Sequence, residues 1–440
     1  MPTAPLTRSL AFLTADLPGI GGTLKQRAKD FRVEEIPLYP PKGSGEHLLL
    51  FIEKQQQTTS DVVRRLAKLF SVKRSDIGFA GLKDKHAITR QHFSVYLPDP
   101  SKDEKCLARF EFLPFNLIWS ARHQNKLRRG HLRGNRFVIH IRDVPATSVV
   151  AAKLVLDRLV VTGVPNYVGH QRFGYRQNNH VVGKLLVQGK WQAFLDHMLG
   201  KPQPDVAAST SQGREHYERG DFKSAIECWP RHLRHDRQAL DALRQGKSPR
   251  EAVMAIDGQQ REFLVSAMQS AVFNAVLHRR MEGHDSLAFD RLAEGDLAWK
   301  HENRSVFAVD RETAEHENGE QGRIPILAIS PSGPMWGPDM MRAQGVPGKA
   351  EADALAQTGL SECALAAASH QLVYGTRRPM RVAVTNAELS GGADEYGPYV
   401  RVVFDLPRGS YATVALREIM KVEERNAAQL LRENLEPPSR

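Results

Sequence analysis

The sequence predicts a mixed α/β fold in which strand-forming segments at both ends of the chain flank a more helical middle. Three observations lead to this prediction. Strand candidates occur at 47–53, 91–97 and 135–142, and again at 381–389 and 399–406, and polar and apolar residues alternate at 91–97, 381–389 and 399–406. From about residue 166 to about residue 373, apolar residues recur at helical spacing instead. The 440 residues exceed what one core usually supports, so we expect two or three domains.

The first part of the chain contains two predicted helices, at 60–70 and 146–161. The first helix follows a Thr/Ser/Asp start signal and carries its apolar residues at helical spacing. The strand at 91–97 places Phe93, Val95 and Leu97 on one face. We expect His92, Ser94 and Tyr96 on the opposite, polar face.

The middle and the C-terminal part follow the same rules. A long helix is predicted at 261–281, with Leu264, Met268, Ala271 and Ala275 on one stripe before Gly283. Residues 201–213 and 312–322 are predicted to be a loop and an exposed polar turn. Near the C-terminus, Ser410 is predicted to cap a helix that buries Ala415, Leu416, Ile419 and Met420.

Composition narrows the classes of function. A mean hydropathy of −0.42, without an apolar run of the roughly 18 residues that a membrane helix needs, predicts a soluble cytoplasmic protein. The three cysteines are far apart, and no paired zinc-ligand spacing occurs, so we expect no metal. No phosphate-binding glycine loop is complete, which predicts no nucleotide cofactor.

Positive charge indicates a polyanionic partner. The net charge is +11, and no acidic residue occurs at 112–142 or at 158–195. The second stretch interleaves Arg172 and other cations with aromatic residues, a pattern that suits phosphates and unpaired bases. A basic solvated surface with its rings in the core explains the same pattern.

A glycine-rich turn at 78–91 carries one carboxylate, Asp84, directly between Lys83 and Lys85. Gly78 and Gly81 are expected to permit an unusual backbone conformation or a close approach. The cations Lys83, Lys85, His86 and Arg90 would favour an ionised Asp84, which suits a nucleophile or a base. A Lys-Asp-Lys triplet taken alone is more often a solvated loop tip.

The segment 78–87, Gly-Phe-Ala-Gly-Leu-Lys-Asp-Lys-His-Ala, resembles the catalytic motif of the TruD family of tRNA pseudouridine synthases. Four further matches follow the family's chain order. They are Leu24-Lys25 with Asp30-Phe31, the Gly-Asn-Arg-Phe of 134–137, the segment 164–174, and the segment 406–413. The matches extend from near the N-terminus to near the C-terminus.

The resemblance implies specific roles. Asp84 would be the catalytic residue, Phe31, Phe137 and Tyr411 would surround a flipped-out base, and Asn135 would hydrogen-bond to it. Lys25 would pair with Asp84. Lys83, Lys85, His86 and Arg172 would support the site or contact RNA. Without the resemblance, we would interpret Phe137 as a ring in the core and Asn135 as a turn residue. Tyr411 departs from the phenylalanine usual in compact bacterial members, and its hydroxyl requires a partner.

The resemblance also implies the architecture. A catalytic domain with a mixed, largely antiparallel sheet would be assembled from residues 1–165 and 373–440. A family-specific α/β TRUD domain would be inserted at 166–372. Extra helical sequence at about 184–260 would be either structural bulk or a tRNA-facing wall, and its recurring arginines favour the wall.

The implied function is isomerisation of uridine 13 of tRNA to pseudouridine. Either attack of Asp84 on C1′ or removal of the C2′ proton would start the reaction. The implied partner is tRNA, with no cofactor, no membrane and a monomeric enzyme. A noncatalytic RNA-binding or RNA-chaperone protein is the alternative from another class, and the same chemistry on another RNA, such as messenger RNA, is a third.

Overall fold

A computed structural model of the chain describes residues 10–201, 208–368 and 373–422. The chain divides into two compact units. The sheet unit comprises Thr14–Val164 and Val382–Val422. The described part of the helical unit comprises residues 10–13, 165–201, 208–368 and 373–381.

The strands are short to medium in length and occur in both units. They are β1 Phe31–Pro37, β2 His47–Lys54, β3 Ile77–Phe79, β4 Ile88–Tyr96, β5 Asn116–His123, β6 Leu132–Arg142, β7 Val164–Pro165, β8 Leu297–Lys300, β9 Val306–Ala308, β10 Ile329–Met335, β11 Thr376–Pro379, β12 Arg381–Val382, β13 Thr385–Asp394 and β14 Gly397–Pro407.

The α-helices are concentrated between β7 and β8. They are α1 Thr59–Phe70, α2 Asp103–Leu107, α3 Val149–Thr162, α4 Asn179–Val187, α5 Trp191–Leu199, α6 Ala208–Glu218, α7 Phe222–Cys228, α8 Arg234–Arg244, α9 Pro249–Ala255, α10 Gly258–Met281, α11 Arg311–Asn318, α12 Gly345–Gln357, α13 Glu362–Ala367 and α14 Ala412–Met420.

The sheet unit is built on one sheet with the strand order β13-β14-β6-β1-β4-β2-β5, and β3 pairs with β4 outside this path. The pairing of β1 with β4 is parallel, and the other pairings in this sheet are antiparallel. Strands from both ends of the sequence meet where β14 pairs with β6. The predicted mixed, largely antiparallel fold assembled from both chain ends is therefore confirmed.

Local sequence signals explain the helix α1 beside this sheet. Thr58 and Asp61 form a capping box, in which the Thr58 hydroxyl accepts from the Asp61 N–H and Asp61 accepts from the Thr58 N–H. The apolar face of α1 packs on β2 and β4 in a buried cluster that includes Leu50, Leu66 and Phe93. This packing fixes one side of the connection between β3 and β4.

The helical unit has a long central helix and a small sheet. The helix α10 begins three residues before its predicted start and ends at Met281 as predicted, and Gly283 after it has a φ of 71°. Leu264, Met268 and Ala271 are buried, whereas Ala275 is partly exposed. The strands β11-β10-β8-β9 form an antiparallel sheet.

Several local predictions were wrong. The helix α11 Arg311–Asn318 covers much of the predicted turn at 312–322, because Asp310 caps it by accepting from the Thr313 N–H at 2.8 Å. The helix α6 begins inside the predicted loop at 201–213, of which 202–207 lie outside the described residues. The predicted strand at 381–389 is interrupted between β12 and β13.

The predicted cap at Ser410 was also wrong. Tyr411 occupies the N-cap position of α14 and provides no side-chain cap, while the Ser410 N–H closes a turn onto the Pro407 carbonyl at 3.3 Å. The helix α14 nevertheless buries its predicted face.

His92 and Ser94, predicted on a polar face, are buried because each has a polar partner inside the sheet unit.

Candidate active site

Asp84 lies on the connection between β3 and β4, and close backbone packing shapes the start of this connection. A β-carbon at Gly78 would overlap the Leu127 carbonyl oxygen, so only glycine fits there. Gly81 has open space around it and an ordinary φ, which contradicts the steric role predicted for it. The Gly130 N–H donates to the Ala80 carbonyl at 2.7 Å.

Two buried polar side chains, those of Thr59 and Gln91, hydrogen-bond to the backbone of the connection between β3 and β4. The Lys83 N–H donates to the Thr59 hydroxyl at 3.1 Å, and this hydroxyl donates to Gln91 Oε1 at 3.1 Å. The Gln91 amide in turn donates to the Gly81 carbonyl. Sequence reasoning missed Thr59 and Gln91, whose signal is a polar residue at a buried helix start and another inside an apolar strand.

Asp84 itself is held by one cation and one backbone group. Lys25 Nζ donates to Asp84 Oδ2 at 2.6 Å, and the His86 N–H donates to Oδ1 at 2.9 Å. Burial raises the pKa of Asp84, but the charge and hydrogen bond of Lys25 and the His86 N–H outweigh it, so the pKa lies below its ordinary value. The Asp84 side chain keeps 31% of its surface exposed. An ionised carboxylate is therefore open to a ligand.

Lys25 also contacts a predicted base-binding ring. Its Nζ lies 4.6 Å from the centroid of the Phe31 ring, which is buried at the start of β1. Lys25 adopts a φ of 58°, a conformation that is uncommon for a residue with a β-carbon. The structure thus brings Lys25, Phe31 and Asp84 together from separate parts of the sequence.

The other predicted cations contribute differently. Lys83 points away from Asp84, donates to Asn135 Oδ1, and lies 3.6 Å from the Glu35 carboxylate. Arg90 pairs with Glu34 and Glu53. Lys85 and His86 are exposed, and only His86 adds to the field at Asp84. The expectation that Lys83, Lys85 and Arg90 ionise Asp84 was wrong, because Lys25 supplies that charge.

The two remaining predicted rings have different surroundings. Phe137 is buried on β6, with its ring centroid 5.5 Å from that of Phe404 on β14. Tyr411 is partly exposed, and its hydroxyl has no protein partner among the described residues. Arg172 belongs to the helical unit, where its guanidinium lies 5.1 Å from the Phe263 ring centroid.

Lys54 is a further residue that sequence reasoning missed. It is 1% exposed at the end of β2, and its Nζ donates to the Asp84 carbonyl at 3.1 Å and to the Gln57 carbonyl at 2.8 Å. Burial lowers its pKa to about 8, against the raising effect of Asp84. Its position after six buried strand residues is the signal in the sequence.

The site can perform carboxylate chemistry. An ionised Asp84 with both oxygens oriented can attack an electrophilic carbon or remove a proton. No group of His, Cys, Asp or Glu suited to hold a metal ion occurs among residues 10–201, 208–368 and 373–422. Within the same residues, no helix has the length and apolar character that crossing a membrane requires.

Comparisons with known proteins agree with this site. The sequence model of the family described as tRNA pseudouridine synthase D (TruD) matches residues 9–419. The chain is 40% identical to tRNA pseudouridine synthase D of Geobacter metallireducens, over 93% of this chain and 97% of the relative. It is 37% identical to the protein of that name from Thermus thermophilus, over 94% and 92%.

The fold has a similar solved relative. A crystal structure described as a tRNA pseudouridine synthase D (TruD) from Methanosarcina mazei superposes with a TM-score of 0.75 at 27% identity. The match covers 94% of this chain and 96% of that one.

Proposed function

The chain belongs to the tRNA pseudouridine synthase D (TruD) family of isomerases, and we propose that it converts uridine 13 of tRNA to pseudouridine with Asp84 as the catalytic residue. The observation that carries the proposal is the 2.6 Å pair of Lys25 with Asp84, which keeps a partly exposed carboxylate ionised. The family alone supports tRNA pseudouridylation, and the position in the tRNA is part of the proposal.

The reaction needs only groups of the kind found in this site. The C1′–N1 bond of uridine breaks, the uracil turns, and a C1′–C5 bond forms while C5 loses a proton and N1 gains one. Asp84 either attacks C1′ or removes the C2′ proton in the first step, and it can later accept the C5 proton. Because the product is an isomer of the substrate, no redox partner or energy source enters.

The target nucleotide has to leave the base stack to reach Asp84. We propose that Phe31, Phe137 and Tyr411 surround the flipped base and that Asn135 hydrogen-bonds to it. Phe31 lies directly beside the Lys25–Asp84 pair, which supports its place in the pocket. Tyr411 is partly exposed, and its hydroxyl, which has no partner among the described residues, would hydrogen-bond to the RNA.

Other residues would contact or support the RNA. We propose this role for Lys85, His86 and Arg172, and we assign Lys25 and Lys83 to the support of Asp84 and Asn135. The catalytic domain would comprise 1–165 and 373–440, with the TRUD domain at 166–372. We further propose that the enzyme acts on tRNA as a cytoplasmic monomer without a cofactor.

The test is carbodiimide primer-extension mapping of tRNA after incubation with wild type, Asp84→Asn and Asp157→Asn. Asp157 is an exposed aspartate that pairs with Lys153 on α3, so its variant is a matched control. We expect a stop at uridine 13 with wild type and Asp157→Asn, and a rate at least about 10³-fold lower with Asp84→Asn.

The alternatives predict other results. A noncatalytic RNA-binding or RNA-chaperone protein gives no stop with any variant, and equal stops for wild type and Asp84→Asn contradict catalysis by Asp84. An enzyme for messenger RNA leaves uridine 13 unmodified. Mapping of modified sites in cells with and without the gene distinguishes that case.

A further inference from the structure

The orientation of the Asn135 amide is fixed by its contact with Lys83. Lys83 Nζ donates to Asn135 Oδ1, and a lysine ammonium has three donors and no acceptor. The opposite orientation would place the amide NH2 group against the ammonium, with donors facing donors. The chemistry of Lys83 therefore determines which atom of Asn135 faces it, whatever the starting assignment.

A buried carboxylate keeps this arrangement in place. The Lys83 side chain is 6% exposed and that of Glu35 is 1% exposed, with 3.6 Å between Nζ and Oε2. Glu35 Oε1 accepts from the His92 N–H at 3.2 Å and faces His92 Nδ1 at 3.1 Å. Burial lowers the pKa of Lys83, while the charge of Glu35 opposes that change.

The fixed oxygen leaves the Asn135 NH2 group for a ligand. Among the described residues, Asn135 Nδ2 has no hydrogen-bond partner. Asn135 is partly exposed on β6, directly opposite Glu35 on β1. Asn135 thus offers the ligand its NH2 donor, while its Oδ1 is held by Lys83.

We propose that Lys83 locks Asn135 as a donor that holds a uracil carbonyl both before and after the base turns. The proposal rests on the function proposed above. A half-turn of uracil about its N3–C6 axis exchanges N1 with C5 and O2 with O4. One fixed donor therefore meets a carbonyl oxygen in both orientations. Cytosine has an amino group at C4, so a locked donor faces another donor in one of them. Lys83 is then a positioning residue for specificity.

The test measures single-turnover rates on RNAs that carry uridine, 2-thiouridine or 4-thiouridine at the target position. Sulfur is a weaker acceptor than oxygen, so we expect both substitutions to slow the wild type by about 10-fold, which is about 1.4 kcal/mol. Asn135→Ala and the near-isosteric Lys83→Met should reduce each penalty to less than about threefold. Lys83→Arg keeps a cation that only donates and should keep both penalties.

Ratios between substrates separate this role from a structural one, because a damaged fold slows all three RNAs together. Where a variant is too slow to assay, the affinities of the same RNAs for Asp84→Asn and for Asp84→Asn/Lys83→Met give the ratio for the one carbonyl that Asn135 contacts before the base turns. Penalties that persist in Lys83→Met overturn the lock, and a penalty at only one carbonyl overturns the contact through the turn. Absence of product from uridine RNA with wild type instead contradicts the proposed function.

Discussion

Asp84 in the sheet unit and Asp236 in the helical unit are both aspartates near two or more cations, yet their pKa values move in opposite directions. The pKa of Asp84 lies below its ordinary value, whereas burial raises that of Asp236 from 3.8 to about 6. Lys25 Nζ reaches Asp84 at 2.6 Å. Asp236 accepts one hydrogen bond, from Trp229 Nε1 at 3.1 Å.

The cations near Asp236 use their donors elsewhere. Arg214 is fully buried and donates to the carbonyls of Met198 and Gly200, at 2.8 and 3.0 Å, and to the Tyr175 hydroxyl. These carbonyls lie at the C-terminal end of α5, which has no further helical turn to satisfy them. A nearby cation thus ionises an acid only when its donors reach the carboxylate. By this criterion Asp84 belongs to a site and the Arg214 cluster to the scaffold.

Replacing Lys25 should therefore lower the reaction rate, whereas replacing Arg214 should lower the stability of the fold. Lys25→Met should lower the single-turnover rate by about 10²-fold, because the oxygens of Asp84 lose a charged partner. Only His86 then opposes the effect of burial on the pKa of Asp84, so the acidic limb of the pH–rate profile should move to higher pH. Arg214→Met should instead lower the free energy of unfolding by about 3 kcal/mol, because buried carbonyls lose their donors.

The pH–rate profiles and the thermal unfolding of the two variants test this prediction. Lys25→Met should unfold within about 1 kcal/mol of wild type, since its pair with Asp84 is partly exposed. Arg214→Met should keep the wild-type rate below its unfolding temperature. A rate loss in Arg214→Met that matches that of Lys25→Met would remove the distinction between site and scaffold.

The second prediction concerns the sign of the pH dependence at Asp236. Its folded pKa lies above its unfolded value, so charging it destabilises the fold as the pH rises from about 4 to about 6. The full difference corresponds to about 3 kcal/mol, and residual solvent contact reduces it to about 1–2 kcal/mol. Asp236→Asn keeps an acceptor for Trp229 and should be more stable by this amount at pH 8.

Thermal unfolding of wild type and Asp236→Asn at pH 8 and pH 4 measures this effect, and the difference should nearly disappear at pH 4. Asp84 has the opposite sign, because its stabilisation is present above its unfolded pKa and is lost as the pH falls through its lowered folded pKa. A variant Asp236→Asn that is less stable than wild type at pH 8 would show that Arg214 does pair with this acid.

The difference between contacts that are local in sequence and contacts made only in the folded structure explains what the sequence could predict. The motif around Asp84 and the helix α1 with its capping box carry local signals, so they were identified. The pairing of Lys25 with Asp84 was predicted only through the resemblance, and the two side chains lie 2.6 Å apart, whereas the sequence neighbours Lys83 and Lys85 were expected to charge Asp84 and do not. Lys83 instead reaches Glu35 and Asn135. Glu35 acts through tertiary contacts that no local pattern records, and the sequence marks Lys54 only as a cation at the end of an apolar strand.

The third prediction compares unpaired arginines of the two units. Arg128, Arg129 and Arg133 are exposed on or beside the connection between β5 and β6 and form no ion pair among the described residues. The connection between β5 and β6 lies beside the connection between β3 and β4, which carries Asp84. The Arg129 guanidinium is 5.9 Å from the ring centroid of Phe79, the last residue of β3. We expect these arginines to bind RNA phosphates. Changing all three to Gln should reduce the slope of log affinity against log salt concentration by about 2 to 3.

Arginines on the helical unit provide the matched control. Arg237 donates to the Ile226 and Trp229 carbonyls and Arg244 pairs with Asp241, so neither is free for RNA. Arg231, Arg234 and Arg250 are exposed and without an ion pair in the described part of the chain. Their triple change to Gln should alter the salt slope by less than about 1. An equal or larger change would place the principal phosphate contacts on the helical unit and support a tRNA-facing wall at 184–260.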